Sequence, residues 1–296
     1  MGGPIQPTLP IPTPDAGGPQ LLLVDGHNLL WSATFGFPAP IYSRDKTRLL
    51  TGLFAFFALL RAAIRDDVPG PAPEVAVVFD GEHGAAGRKQ DHDGYKGSRP
   101  VDEQAMLPLQ FLPDVKRGLD TCGIAWVERE DAEADDVIAT LANATSPRRV
   151  VIMSRDRDFY QLVTDWVVVL NTRFHAGRKL VTPAEVYERH QVTPGQWPDF
   201  RALAGDPADD IPGVRGIGAK TAAGLLAGGL GLEDLPASGR LATGRGRVVA
   251  GQLDLALKWR DMIRLNASLD VTWRPTGRPS PPLPTAGEVV QTLGLW

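Results

Sequence analysis

The sequence predicts a mostly parallel α/β sheet flanked by helices, followed by a helical domain built around a helix-hairpin-helix. Three observations predict it. Short, continuously apolar runs alternate with helical stretches over the first 180 residues. Several of those runs end in a carboxylate. Beyond Thr182 the chain reads as helices separated by Gly and Pro, with no convincing strand. Uninterrupted apolar runs suit strands covered on both faces, and their alternation with helices implies a parallel sheet.

Met1–Pro19 is rich in Gly, Pro and Thr and reads as a disordered leader (1–19). Gln20–Asp25 (QLLLVD) is the first strand, a helix follows at about Lys46–Asp66, and Glu74–Asp80 (EVAVVFD) is the second strand. A Gly-rich basic stretch then runs to Pro100, and Pro-interrupted helices fill Val101–Thr121. Further strands are expected at Ile124–Val127, Arg149–Ser154 and Trp166–Asn171, with a helix at Glu133–Ala144. Thr182-Pro183-Ala184-Glu185 has the pattern of a capping box with Pro at the first helical position, so Glu185 is read as structural. A break near residue 180 divides an α/β domain (20–180) from a helical one (181–273). The Pro-rich tail (274–296) reads as irregular, with room for one short helix at Glu288–Leu295.

Composition narrows the class. The 296 residues are ample for a core without staples, and the single cysteine, Cys122, excludes a disulfide framework or cysteine-ligated zinc. The longest greasy stretch, Leu49–Leu60, is flanked by Arg48 and Arg61 and is too short to span a bilayer. With no signal layout at the N-terminus, a cytoplasmic protein is expected. Lys plus Arg total 31 against 35 acids, a net charge of −4 that alone argues mildly against a nucleic-acid partner.

The placement of the acids reverses that argument. Strand one ends in Asp25 and strand two in Asp80. The third strand leads into Asp131-Ala-Glu133-Ala-Asp135-Asp136, and the fourth into Asp156-Arg-Asp158. In an open parallel sheet these ends lie along one edge, where ligand crevices form. So many carboxylates in one cleft would repel strongly and call for a cation. An oxygen-only donor set selects Mg²⁺ or Mn²⁺, and its size suits two ions and phosphoryl hydrolysis. Each acid also has a bland reading, as a turn or helix-cap residue. The coincidence across four strand ends favours the metal reading.

Residues Gly205–Leu226 read GDPADDIPGVRGIGAKTAAGLL. A Gly216-Ile217-Gly218 turn opening a helix lets backbone N–H groups approach a phosphate, with Lys220 and Thr221 able to touch the same backbone. With the preceding Pro-Gly turn, this is a helix-hairpin-helix pattern.

Taken in order, LLLVDGHNLLWSA, VAVVFDG, GYKGSR, EADDVIATLA, SRDRDFYQLV, GDPADDIPGVRGIGAKTAAGLL and LALKWRDMIRLNASLDV resemble the 5′-nuclease family, meaning the 5′→3′ exonuclease domain of bacterial DNA polymerase I and, more distantly, flap endonucleases. The resemblance covers about residues 20 to 273. It implies a PIN-like sheet, a helix-three-turn-helix element at Gly213–Thr221, and two divalent cations, Mg²⁺ or Mn²⁺. Asp25, Asp80, Glu133 and Asp135 match the first-metal ligands; Asp156, Asp158 and Asp209 match the second group, with Asp136 and Asp206 as supporting carboxylates. Arg88, Tyr95, Lys96 and Arg99 match the base of an arch past which a 5′ strand runs. Gly216, Gly218, Lys220 and Thr221 match the duplex-gripping turn, which in the family also holds a monovalent cation such as K⁺.

His27 and Asn28 are read as local turn residues, and Asp210 stands where polymerase-linked members carry Asn. Gly239–Arg247 (GRLATGRGR) is a basic insertion without a motif, expected to touch phosphate. Setting the nine candidate site acids aside turns −4 into +5, a surface compatible with a polyanion. The implied function is a stand-alone monomeric 5′→3′ exonuclease and flap endonuclease. It would act on DNA and on RNA-primed DNA alongside a separate polymerase, in primer removal and repair. A PIN-like ribonuclease is the alternative enzyme, disfavoured by the duplex-gripping turn. A non-catalytic branched-DNA binder is disfavoured by the intact acid set.

Overall fold

The computed structural model describes residues 18–84, 86, 97, 102–145, 148–174, 177–242 and 244–296. The leader up to Gly17 and the arch candidates Arg88, Tyr95, Lys96 and Arg99 lie outside the described residues.

The sheet has six strands, β1 (Leu21–Asp25), β2 (Glu74–Asp80), β3 (Ala125–Arg129), β4 (Val150–Met153), β5 (Val167–Leu170) and β6 (Leu180–Val181), in the order β3-β2-β1-β4-β5-β6. All neighbours are parallel except β5 and β6. The two-residue β6 was not among the expected strands and ends at Val181, just before the helical half opens at Thr182. It is too short to leave a period-two pattern.

Helices α1 (Gly26–Gly36) and α2 (Thr51–Ala62) pack on each other, and a π-helical turn, Ala63–Asp67, ends the latter. The sequence did not foreshadow α1. Asp25 closes β1 and caps α1 by accepting the Asn28 N–H at 3.0 Å, so no linker separates strand from helix. Helix α3 (Leu112–Thr121) follows a 3₁₀ turn, Leu107–Phe111, each opened by a proline as expected. Helix α4 (Ala134–Ala144) starts after Glu133.

The chain then runs through α5 (Pro183–His190), α6 (Trp197–Ala204), α7 (Ala219–Leu226), α8 (Gly244–Ala250), α9 (Leu253–Ile263) and α10 (Ala286–Thr292). Thr182 Oγ1 accepts the Glu185 N–H at 3.3 Å, but the Glu185 carboxylate turns to Arg189 rather than back to the cap. The capping box is therefore half made, and Glu185 is structural in a different way.

Alternate residues of each strand feed two cores. Leu22, Val24, Val77 and Val151 pack with Phe56, Phe57 and Leu60 of α2. Leu21, Leu23, Val78 and Ile152 pack with Val137 and Ile138 of α4, and the same core continues through Val181, Val186, Trp197, Phe200 and Leu226. Apolar packing thus crosses the break near 180 without interruption, and the helices after it are built onto the sheet.

The tail is not loose. Glu74 accepts the N–H groups of Thr276 (2.6 Å) and Gly277 (3.0 Å), Val75 N–H donates to Ser280 Oγ (2.9 Å), and Trp296 Nε1 donates to the Tyr42 carbonyl (3.0 Å). Helix α10 lies against α2 and α3.

Candidate metal centre and nucleic-acid face

Two glycines set the distances at the carboxyl edge. A Cβ on Gly26, in the first VDG, would sit 2.4 Å from the Phe79 ring and 2.8 Å from the Val78 carbonyl. A Cβ on Gly81, in FDG, would lie 1.9 Å from the Arg129 carbonyl. Only glycine allows β1, β2 and the loop after β3 to close this tightly. Gly81 N–H then donates to the Ala132 carbonyl at 3.0 Å, one residue before Glu133.

Four strand ends deliver their acids there. Asp25 is buried, and its Oδ2 accepts from Ser154 Oγ at 2.7 Å. Asp80 Oδ1 accepts the N–H of Ala134 at 2.8 Å, so Asp80 meets the chain between Glu133 and Asp135. Glu133 is buried at the N-cap of α4, and its side chain does not cap the helix. Asp156 Oδ1 accepts the Asp158 N–H at 2.9 Å, and its own N–H reaches Ser154 Oγ at 3.0 Å. Asp158 and Asp209 are buried. The bland reading of Asp25 as a helix cap is therefore true, whereas Asp156 holds a local turn and does not cap the 3₁₀ turn that follows.

The electrostatics show what the geometry costs. Burial first, then the charges of Asp80 and Asp156, push the Asp25 carboxyl up to about 7. Burial, followed by Asp156, Asp206 and Asp209, holds Asp158 well above the usual carboxylate range, with Arg201 opposing. Asp156 belongs to both groups, so the acids form one repelling line with two centres. Among the described residues no three His, Cys, Asp or Glu side chains come together closely enough to hold a metal ion by themselves. An open line of carboxylates suits a hard cation that keeps waters and shares its shell with substrate phosphate.

Two of the supporting acids have other duties. Asp206 forms a fork with Arg201, at 2.9 Å to Nε and 2.6 Å to Nη2, and accepts the Ala208 N–H. Its carboxylate is thus committed to protein donors and acts on Asp158 as a charge. Asp136 Oδ1 accepts the Asn266 N–H at 2.8 Å, tying α4 to the segment after α9. Asp131, beside the cluster in sequence, pairs with Arg129 at 2.6 Å.

The acidic loop before the helix-hairpin turn is closed by paired hydrogen bonds between Asp206 and Ile211. Asp210 has φ +58, a left-handed conformation that Asn and Asp tolerate better than most residues. That accounts for a short polar side chain at this position. Gly216 has φ +81, and both Gly216 and Gly218 face open space where a Cβ would stand. Gly218 precedes α7 in extended conformation and offers no side chain to its first-turn N–H groups. Lys220 is exposed, while the Thr221 hydroxyl accepts from Arg245 Nη1 at 2.9 Å.

That last contact places the basic insertion. Arg240 Nη1 donates to the Leu225 and Ala227 carbonyls, each at 2.7 Å, at the C-terminal end of α7, and Arg245 reaches its first turn. Ser154 is the residue that sequence reasoning missed. Its bond to Asp25 spans 129 residues and leaves no local pattern.

No helix among the described residues is long and apolar enough to cross a membrane. In sequence, DNA polymerase I, thermostable, of Thermus thermophilus is 38% identical over 219 residues, covering 73% of this chain and 25% of that protein. DNA polymerase I of Mycobacterium tuberculosis is 35% identical over 226 residues, covering 74% and 24%. The chain therefore spans about a quarter of the length of these relatives. In structure, a bacteriophage T5 flap endonuclease in a pseudo-enzyme-product complex with DNA and metal ions superposes with a TM-score of 0.63 at 21% identity, over 83% of this chain and 89% of that one. The catalytic core of Rad2 in complex with DNA substrate gives 0.56 at 14%, over 94% and 89%. Residues 20–191 match the 5'-3' exonuclease N-terminal resolvase-like domain, and residues 192–278 match the 5'-3' exonuclease C-terminal SAM fold. With both halves matched in order across the sheet edge and the helix-hairpin turn, the chain belongs to the 5'-3' exonuclease family.

Proposed function

We propose that the chain is a divalent-cation-dependent 5′→3′ nuclease that removes nucleotides or flaps from 5′ ends of DNA, leaving 5′-phosphate and 3′-hydroxyl ends. The observation that carries this reading is the mutual repulsion of Asp25, Asp80, Asp156 and Asp158 on the carboxyl edge of a parallel sheet. Asp25 and Asp158, buried and raised by burial and by their neighbours' charges, suit a site completed by a positive charge. The donor set is oxygen only, which fits Mg²⁺ or Mn²⁺. Asp25, Asp80, Glu133 and Asp135 would hold one ion, and Asp156, Asp158 and Asp209 a second. When bound, the ions supply an activated water and neutralise charge on the scissile phosphate and the leaving 3′-oxygen.

The protein's own residues do the rest. Ser154 fixes Asp25 and Asp156 relative to each other. Arg201 engages both oxygens of Asp206, so Asp206 acts on Asp158 as a charge held in place by its ion pair. Arg215, Lys220 and Arg245 lie exposed on the hairpin side, and none pairs with a carboxylate among the described residues. They would hold a duplex by its phosphates without reading its sequence. The relatives that are DNA polymerases and the DNA-bound structural neighbours support DNA as the substrate, and primer removal and repair as the setting. Incubation with 5′-labelled flapped, nicked and single-stranded DNA, with product sizing, tests the reading. Release of 5′-terminal fragments supports it, and cutting only at internal sites of RNA would replace it with a ribonuclease.

A further inference from the structure

The first turn of α1 carries a histidine, His27, that stands outside the carboxylate cluster. His27 lies against the Phe79 ring edge-on, centroids 5.7 Å apart, and against Trp31 at 5.8 Å. Its side chain is 16% exposed. The Asp80 backbone N–H donates to His27 Nδ1 at 3.0 Å. That bond requires a lone pair on Nδ1, so the ring carries its proton on Nε2. The Asp80 Oδ2 atom lies 3.2 Å from the same Nδ1. With Nδ1 acting as acceptor, this short approach is not an ion pair. It sets one lone pair against another.

The Asp80 carboxylate is therefore asymmetric. Oδ1 is satisfied by Ala134 N–H at 2.8 Å. The Asp80 side chain is 45% exposed at the cleft, with Oδ2 on the side away from that bond. The close approach depends on Gly26, because a side chain there would drive the turn away from Phe79 and Val78.

We propose that His27 is a positioning residue for Asp80: by accepting the Asp80 N–H at Nδ1, His27 fixes the end of β2 and with it the direction in which the Asp80 carboxylate faces the cleft and a divalent cation. The inference rests on the cation-dependent reading above and goes beyond it in giving a role to a residue outside the proposed ligand set. Partners in this position orient the ligands of a metal site, and removing them typically costs about 10- to 100-fold in metal affinity.

The test is Mn²⁺ binding by calorimetry to the full, DNA-free chain, with a thermal melt of each protein in EDTA. His27→Phe keeps a ring between Phe79 and Trp31 and removes the acceptor; His27→Leu serves if the first does not fold. His27→Gln restores an acceptor oxygen. The expected result is at least a 10-fold weaker Mn²⁺ affinity in His27→Phe or His27→Leu, recovered to within about 3-fold by His27→Gln. Melting in EDTA should not track this order. Unchanged Mn²⁺ affinity in a folded His27→Phe or His27→Leu variant would overturn the inference while leaving the nuclease reading intact. Failure of the native chain to bind Mn²⁺ would overturn the cation reading, and this inference with it. Tight Mn²⁺ binding with no cleavage of any DNA would overturn the nuclease reading alone.

Discussion

Ser154 Oγ donates to Asp25 Oδ2 at 2.7 Å and accepts the N–H of Asp156 at 3.0 Å, so one hydroxyl fastens the end of β1 to the loop after β4. The two acids it joins repel one another, and Asp25 is raised to about 7 partly for that reason. Ser154 is buried, so no water substitutes readily for it. Ser154→Ala should lower kcat about 10- to 100-fold with DNA affinity retained, because it disturbs the ligands and not the duplex contacts. Ser154→Thr should keep most activity. Single-turnover rates beside binding isotherms check both, and a wild-type rate in Ser154→Ala would show the bridge to be incidental.

Asp80→Ala and Asp156→Ala should abolish turnover while leaving DNA binding intact or strengthened. Each removes an electrostatic contribution that acts mainly in the transition state. Each also removes negative charge from a cleft that must admit a polyanion. Cleavage at saturating substrate is the readout, and near-native turnover in either variant would remove that residue from the site.

The raised Asp25 carboxyl has a consequence for stability. In the folded, cation-free chain it titrates near 7, against 3.8 as its ordinary value. The folded state therefore binds this proton more tightly than the unfolded state, and Asp25 costs stability as pH rises from about 4 to about 7. Asp25→Asn should gain on the native chain across that window, by ~4 kcal/mol at most, at about 1.4 kcal/mol per pKa unit. Added Mg²⁺ should narrow the difference by stabilising the native charge. Urea melts in EDTA at several pH values decide it, and parallel curves for the two proteins would refute the assignment of the shift to Asp25.

How much of this was legible in the sequence depends on whether the signal is local. β1 and β2 were readable because LLLV and VAVVF are unbroken apolar runs ending in Asp. Helix α4 was readable from its apolar spacing, and Asp25, Asp80, Glu133 and Asp158 fell at the edge where parallel strands must bring them. Helix α1 was not readable, because Asp25 ends a strand and caps a helix at once, and Gly26-His27-Asn28 looks like a turn. The ordered tail was missed because its anchors are Glu74 and Tyr42, some 200 residues upstream. Asp206 was grouped with the ligands, since no pattern announces that Arg201, five residues earlier, will engage both of its oxygens.

Lys220 should behave as a backbone anchor. It is exposed near Gly216 and Gly218, where an added Cβ would meet no atom within 4 Å among the described residues. Lys220→Ala should weaken binding to flapped and nicked duplexes equally for every sequence, and reduce the log–log salt slope by roughly 0.9. Cleavage of short single strands, which need not engage the hairpin, should suffer much less. Salt titrations on one flap and one single strand check this. Equal losses on both would place Lys220 in support of the fold instead.

The central claim is that the carboxylates of the sheet edge work only with a divalent cation between them and the phosphate. The direct measurement is cleavage of a 5′-labelled flap substrate by the native chain in excess EDTA, then after Mg²⁺ or Mn²⁺ is restored, with Asp156→Ala taken through the same steps to exclude a contaminating nuclease. The account predicts no product in EDTA, 5′ fragments on restoring either ion, and none from Asp156→Ala under any condition. Full cleavage by the native chain in EDTA, lost in Asp156→Ala, would contradict it.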